Sequence, residues 1–588
     1  MSSAECRPLR NLLLVCFCAA VAVDVLAGAP SWRALANGTL TDPDSYVRLI
    51  RIRDGLEHGG YGYMLPGDAG GAGTEIYWSH LLDFMILSCA APLRLVLGPA
   101  AALYWGGVAT GPISVGLLAA AGAWAVAPLA APGRLWLAPL MIVLSTSVRA
   151  FGALGVVHYH IPMAILDVLA IGFAGRAAVG AGGRAAGLAG LFAALGIWLS
   201  PESLPFAAIA FGALVLAWTA SAGERYVAVA PIQFGLAFLA AIAFALLIDP
   251  PLRGYRSVEF DRISIAYLVF ALLVAGAGTV LQAVHGLGWQ VRPRAATGLL
   301  AAGLAGAAWP ALFPAVLSGT RALTPGMGPQ GFFDGIAEMA PVSDTALLFL
   351  LLFAPLTATA FLAWSALHRR SLMRAYAALC GLALIVLGQR HVRLTLYPEV
   401  MAALALPVIL TECTGLLADR PRLAALARAI CLALFLLVPS GAVLLGPGLP
   451  QARAAGSGGC SLAGIAPLLA PYAGQVLLTS PSDVPELLYR TRVRTVGSLY
   501  HRGIRDFMRL RAAWRSRPTA GMPPEVLASG AAYILICPSP YRLALVADLP
   551  EDTLLDRLNR GDVPAWLVKL DGIEAGGYRL YRIAAPAS

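Results

Sequence analysis

The chain has 588 residues, 59% of them hydrophobic and only 13% charged. No water-soluble protein of this length has that balance, so the sequence reads as a polytopic α-helical membrane protein whose first partner is the lipid bilayer. The formal net charge of +10 is nearly all arginine, set in short segments between apolar runs, with Lys569 the single lysine. That pattern follows membrane topology and points to no nucleic-acid partner.

Arg7 and Arg10 precede an apolar run at about 11–27. It reads as an uncleaved first span with a cytoplasmic N-terminus. Further spans are expected near 100–130, 135–153, 161–176, 185–200, 203–220, 229–248, 263–285, 295–318, 345–367, 374–389, 394–413 and 428–446, about thirteen in all. The run 81–98 fits either an interfacial helix or a span. With thirteen, each cytoplasmic loop carries arginine, as the positive-inside bias requires. Acids and histidines then collect outside, together with the C-terminus. From about 451 the texture changes. Gln475–Thr479, Tyr533–Cys537 and Tyr578–Ile583 read as strands, and Ile504–Arg515 has helical spacing. The expected division is a membrane domain over 1–450, with its first outer loop at 29–98, and a small extracytoplasmic α/β domain over 451–588. Cys460 and Cys537 are the two cysteines of that domain and can pair in an oxidising compartment.

The first outer loop is where this charge-poor chain concentrates charge. Asp42-Pro43-Asp44 places two carboxylates around a proline, able to hold a hard divalent cation or take a proton; the same residues would also start a helix. Arg48 and Arg51 lie about one turn apart on one helical face and suit a phosphate, or they pair with the local acids. Glu75, Tyr77, Trp78, Ser79, His80 and Asp83 make a second polar face, its aromatics fit to stack on a sugar or to anchor at the interface. His158-Tyr159-His160 and Glu202 lie at span ends on the same side. Arg390 and Arg393 also fall there, where the positive-inside bias does not put arginine, so they are candidate ligands for a phosphate or an acidic sugar. No glycine-rich phosphate loop, nucleophile elbow or zinc motif is present, which argues against ATP-driven transport and triad hydrolysis.

This layout resembles the GT-C fold glycosyltransferases, most closely the oligosaccharyltransferase catalytic subunit. There the first loop carries Asp-Pro-Trp followed by an arginine, matched in part by Asp42-Pro43-Asp44 and Arg48. The runs Asp-Pro-Asp-Ser-Tyr-Val-Arg and Tyr-Trp-Ser-His-Leu-Leu-Asp look like a proteobacterial group of membrane proteins of this class, which also show the Tyr-His-Arg element found here at Tyr500-His501-Arg502. The resemblance implies a bacterial inner-membrane enzyme with its C-terminal domain in the periplasm. It implies an inverting transfer of a sugar from a polyprenyl-phosphate or polyprenyl-diphosphate donor to a lipid, polysaccharide or protein acceptor. Asp42 would be the base or, with Asp44, a ligand of Mg or Mn. Arg48, Arg51, Arg390 and Arg393 would hold the donor phosphate, with Tyr77, Trp78, His80, His158, His160 and Glu202 around the substrates. Two family features are replaced: the second acidic motif by His158-Tyr159-His160, and the Trp-Trp-Asp sequon reader by nothing similar. A lipid-carrier flippase, or an inactive scaffold in surface-glycan assembly, is the alternative.

Overall fold

The computed structural model describes residues 3–180, 183–221, 225–287, 291–324, 332–437, 460–518, 521–538 and 552–584. Ten helices among these are long and apolar enough to cross a membrane, or eleven if the bent pair Pro132–Leu144 and Thr146–Gly152 is one span. Ten of the thirteen expected spans are these, and the run at 135–153 is the bent pair. The run at 185–200 is the 17-residue helix Gly183–Leu199, just short of a full crossing. The run at 428–446 begins in the helix Pro421–Leu432, continues as a wider helical turn over Ala433–Leu437 and then leaves the described residues. The ambiguous run at 81–98 is a short apolar helix, Leu81–Leu93.

The bent pair has a local cause. Ser145 is extended at the break, and its Oγ accepts from Val148 N at 3.2 Å. Glu399, from the span Val392–Leu416, then replaces the lost helical partners. Its carboxylate accepts from Ser145 Oγ, from Ser147 Oγ at 2.8 Å and from Ser147 N at 3.2 Å. An acid at this depth is tolerable because each oxygen has a donor.

The first polar loop opens with the helix Pro43–His58. Proline at its first position needs no N–H partner, and Gly59 ends it in the left-handed conformation (φ 73°). The face bearing Val47 and Ile50 packs on Leu65, Ile76, Trp78, Val484 and Leu488, joining the loop to the C-terminal unit. The antiparallel strands β1 (Met64–Leu65) and β2 (Thr74–Glu75) follow. Gly62 runs so close to this helix that a Cβ there would sit 2.1 Å from the Arg51 carbonyl oxygen.

The C-terminal unit is a five-stranded sheet in the order β4-β3-β5-β7-β6. Its strands are β3 (Val476–Leu478), β4 (Arg494–Thr495), β5 (Tyr533–Ile536), β6 (Leu567–Ala575) and β7 (Tyr578–Ile583). β3 runs parallel to β4 and β5, while β7 is antiparallel to β5 and β6. The β6–β7 turn is Gly576-Gly577, both at positive φ, as a two-residue hairpin turn of this hand demands. The helix Ile504–Arg515 buries Leu510, Ala513 and Trp514 against this unit. All three strands expected from sequence are present; β6, whose alternation breaks at Gly572, carries too irregular a pattern to be read. Cys460 and Cys537 are joined as a disulfide, their Cα atoms 6.1 Å apart.

Candidate functional site

The loop helix, the 158–160 turn, the Ser200–Ser203 turn, the segment 249–262, Glu338 and Arg393 converge at one end of the bundle, and Tyr500-His501-Arg502 closes over them. Asp42 stands at the N-cap of the loop helix, yet its side chain forms no capping hydrogen bond of normal geometry. Its Oδ2 accepts only a long hydrogen bond, from Ser45 Oγ at 3.4 Å. Single ligand atoms of Asp42, Asp44 and His158 lie within 4.8 Å of one another. Burial, then the Asp44 and Glu338 charges, push the Asp42 carboxyl well above the usual carboxylate range. Asp44 is also raised by burial, opposed by a hydrogen bond from Tyr500 Oη to its Oδ1 at 2.8 Å and by Arg48.

His158 and His160 share a hydrogen between their Nδ1 atoms at 2.6 Å. Burial and the Arg48 and Arg393 charges lower His158 to about 3, so the ring is neutral at physiological pH. Its Nε2 faces Asp44 Oδ2 at 3.8 Å. His160 lies behind it, with Nε2 3.7 Å from Glu202 Oε2. Glu202 is gripped by Arg393 Nη2 at 2.6 Å and by Tyr159 Oη at 3.0 Å. The helical turn Pro201–Ser203 fixes that position, capped by Ser200 and held by the Ser203 hydroxyl donating to buried Asp167 at 2.5 Å.

Next to these groups lies a cavity of about 290 Å³ whose walls include Arg48, Tyr77, Trp78, Tyr159, Glu202, Arg262, Arg393 and His501. Arg48 is 3% exposed and stacks on the Trp78 ring, its Cζ 4.1 Å from the ring centroid. Its Nη1 has no hydrogen-bond partner. Burial and neighbouring Arg51 bring its pKa down to about 10, leaving it charged at neutral pH. Arg262 is equally buried. Its Nη2 is taken by Asp249 and Pro250 O, but its Nε and Nη1 are unpartnered. A buried cation with unused N–H groups on a cavity wall is costly unless an anion completes it.

Other expected ligands are spent elsewhere. Arg51 is fully buried and donates to Trp78 O at 2.6 Å, Ser79 O at 2.9 Å and the Asp83 carboxylate, so it braces the loop and does not line the cavity. His80 is held by Asp249, with Nδ1 to Oδ1 at 2.7 Å, and also lies outside the lining. Arg390 is exposed at a helix end, outside the lining as well. Glu338, absent from the expected set, stands 3.8 Å from Arg393, and burial raises it to about 7. It sits in a long loop with no motif around it, so no sequence signal marks it. Arg262 had one: it opens a span beside Asp261.

Tyr500-His501-Arg502 ties the C-terminal unit to the site residue by residue. Tyr500 donates to Asp44. His501 Nε2 lies 2.8 Å from Asp261 Oδ2. Arg502 binds Asp261 at 2.7 Å, Glu259 at 2.5 Å and Glu75. Burial opposes ionisation of Asp261, but the His501 and Arg502 hydrogen bonds win and hold it near 2. Arg502→Ala takes the cation from Glu259, Asp261 and Glu75, of which Asp261 keeps His501. The expected loss is about 3–5 kcal/mol of stability, read as a fall in the thermal midpoint of the detergent-solubilised protein.

The fold matches solved proteins. The archaeal oligosaccharyltransferase AglB from Archaeoglobus fulgidus, solved with an inhibitory peptide and a dolichol-phosphate, is similar at a TM-score of 0.68 and 15% identity, over 91% of this chain and 70% of that one. The Archaeoglobus fulgidus oligosaccharyltransferase tethered to an acceptor peptide containing the NVT sequon is similar at 0.63 and 13%, over 93% and 70%. Its complex with Zn and sulfate is similar at 0.60 and 13%, over 84% and 64%. The chain has the oligosaccharyltransferase-type GT-C fold. No family model matches it, and no curated protein matches it. Within the GT-C fold, the Asp42–Asp44–His158 cluster and the arginine-walled cavity stand side by side at the end of the bundle that the sheet unit covers.

Proposed function

We propose that this GT-C protein is an inverting glycosyltransferase of the bacterial inner membrane. It takes a sugar from a polyprenyl-phosphate or polyprenyl-diphosphate donor and passes it to a glycan, lipid or protein acceptor at the periplasmic face. One observation carries the reading: buried Arg48, stacked on Trp78 with an unused N–H, lines a cavity adjoining a pair of carboxylates. The arrangement supports a lipid-linked phosphate on the arginine wall and a hydroxyl acceptor at the acid pair. The disulfide between Cys460 and Cys537 supports an oxidising compartment for the C-terminal unit.

In this reading Asp44 is held by Tyr500, and Asp42 takes the acceptor proton. The acceptor oxygen attacks the anomeric carbon on the face opposite the phosphate. The C–O bond to phosphate breaks, and its electron pair leaves with the lipid phosphate, steadied by Arg48 and Arg393. The residues fit a divalent cation: two carboxylates and a neutral imidazole with Nε2 turned toward them are hard and borderline donors at ligand spacing. Asp42, Asp44 and His158 would hold Mg or Mn, which would offset the charge of the acid pair and of the donor phosphate.

Native mass spectrometry of the purified protein with polyprenyl phosphate tests the donor site. Wild type is expected to retain the lipid, and Arg48→Met to lose it. Equal retention by both would remove Arg48 from the donor site.

A further inference from the structure

A second groove lies on another face of the loop helix, between that helix and the C-terminal unit. Its volume is about 950 Å³, and its walls include Arg53, Glu57, Ala466, Ala470, Tyr489, Arg490 and Arg492, three guanidinium groups to one carboxylate. Several side chains along it are small, leaving room for a flat ring. Arg53 lies over the Tyr489 ring at 5.5 Å, and Tyr46 backs that ring at 5.3 Å. Among the described residues, neither Arg53 nor Arg492 has an acid partner. Arg490 is different. It is pinned by Glu486 at 2.7 Å and donates to Gly38 O at 2.8 Å and Thr39 Oγ1 at 3.1 Å. Tyr46 Oη accepts from Leu40 N at 2.8 Å. The groove wall therefore holds the segment that leads into Asp42. Arg53 is also carried by the same helix, eleven residues on, roughly 16 Å along its axis.

We propose that this groove binds an acidic oligosaccharide, the extended part of an anionic glycan whose end is served at Asp42. Aromatic faces take sugar rings, and guanidinium forks take carboxylate or phosphate groups on them. Arg53 over the Tyr489 ring, with Arg492 on the same wall, suits a charged sugar chain better than a neutral one. The groove's size admits more than one ring, whereas the donor cavity is about 290 Å³. The identity of the glycan as acceptor rests on the transferase reading above; its binding does not.

The test uses the full-length protein in phosphatidylcholine nanodiscs, titrated with a short oligogalacturonate. A maltooligosaccharide of equal length serves as the neutral control and inorganic phosphate as the free-anion control. Oligogalacturonate is expected to bind saturably, and Arg53→Gln with Arg492→Gln to weaken it by at least roughly tenfold. Tyr489→Leu also weakens it, while Tyr489→Phe does not. Arg505→Gln, on the exposed face of the helix Ile504–Arg515, leaves it unchanged. Raising salt weakens wild-type binding, which checks the charge dependence without any variant. The proposal is overturned by no saturable binding, by binding that survives the double substitution, or by phosphate or maltooligosaccharide binding as tightly. If Asp42→Asn binds the oligosaccharide normally but no lipid-linked sugar is consumed even by wild type, the groove stands and the transferase reading fails. If transfer is intact and binding absent, the reverse holds.

Discussion

Asp42→Asn is expected to abolish sugar transfer and, at neutral pH, to raise the thermal midpoint of the protein. The two effects share one cause. The carboxyl is pushed up by burial and by the Asp44 and Glu338 charges, so in the unliganded protein it opposes folding once ionised. The folded state holds the proton more tightly than the unfolded chain. Stability is therefore full below the ordinary carboxylate range and falls as pH rises from about 4 toward the raised value. Asparagine removes that dependence. Melting curves of detergent-solubilised wild type and variant across this range check it: wild type loses stability with rising pH, and the variant loses less. Mg or Mn added at neutral pH should raise the wild-type midpoint and leave the variant's unchanged. The catalytic loss is about 10²–10⁴, the contribution of one positioned base. A variant no more stable than wild type would mean that the acid pair is not strained.

Arg48→Met and Arg51→Met are expected to act in opposite ways, although the two residues lie one turn apart. Among the described residues, Arg48 Nη1 has no hydrogen-bond partner. A long apolar chain keeps its packing on Trp78 and relieves a buried charge, so stability holds or rises. Transfer falls by about 10²–10³, the effect of removing one preorganised donor from a developing anion. Arg51 has Asp83, Trp78 O and Ser79 O as partners. Its loss strands a buried carboxylate and costs about 3–5 kcal/mol. Thermal midpoints and transfer rates measured together on both variants separate a substrate ligand from a brace. If both variants melt alike, Arg48 is a brace too.

The membrane bundle was legible because an apolar run of spanning length, in so hydrophobic a chain, has little stable place except as a helix in the bilayer. The Pro132–Gly152 run was also legible, but not its bend, which depends on Glu399, 252 residues beyond Ser147. In the sheet unit, β3, β5 and β7 alternate or run apolar and were readable; β6 does neither. At the site, Asp42, Asp44, Arg48 and His158 stood out as charge and imidazole in an otherwise apolar chain, and they lie together. Arg51 and His80 looked like equal candidates because sequence does not show who pairs with whom. Their partners, Asp83 and Asp249, stand 32 and 169 residues away. Arg390 shared the signal of Arg393, but only Arg393 turns to Glu202. Glu338 had no local pattern; only the fold brings it to Arg393.

The most direct measurement compares lipid-linked glycans and surface polysaccharides by mass spectrometry in cells carrying wild type or Asp42→Asn. The account predicts that one sugar disappears from a surface product while its polyprenyl-linked donor accumulates in the variant. Unchanged pools, with the variant present in the membrane at normal level, would contradict it and leave Asp42 a structural residue.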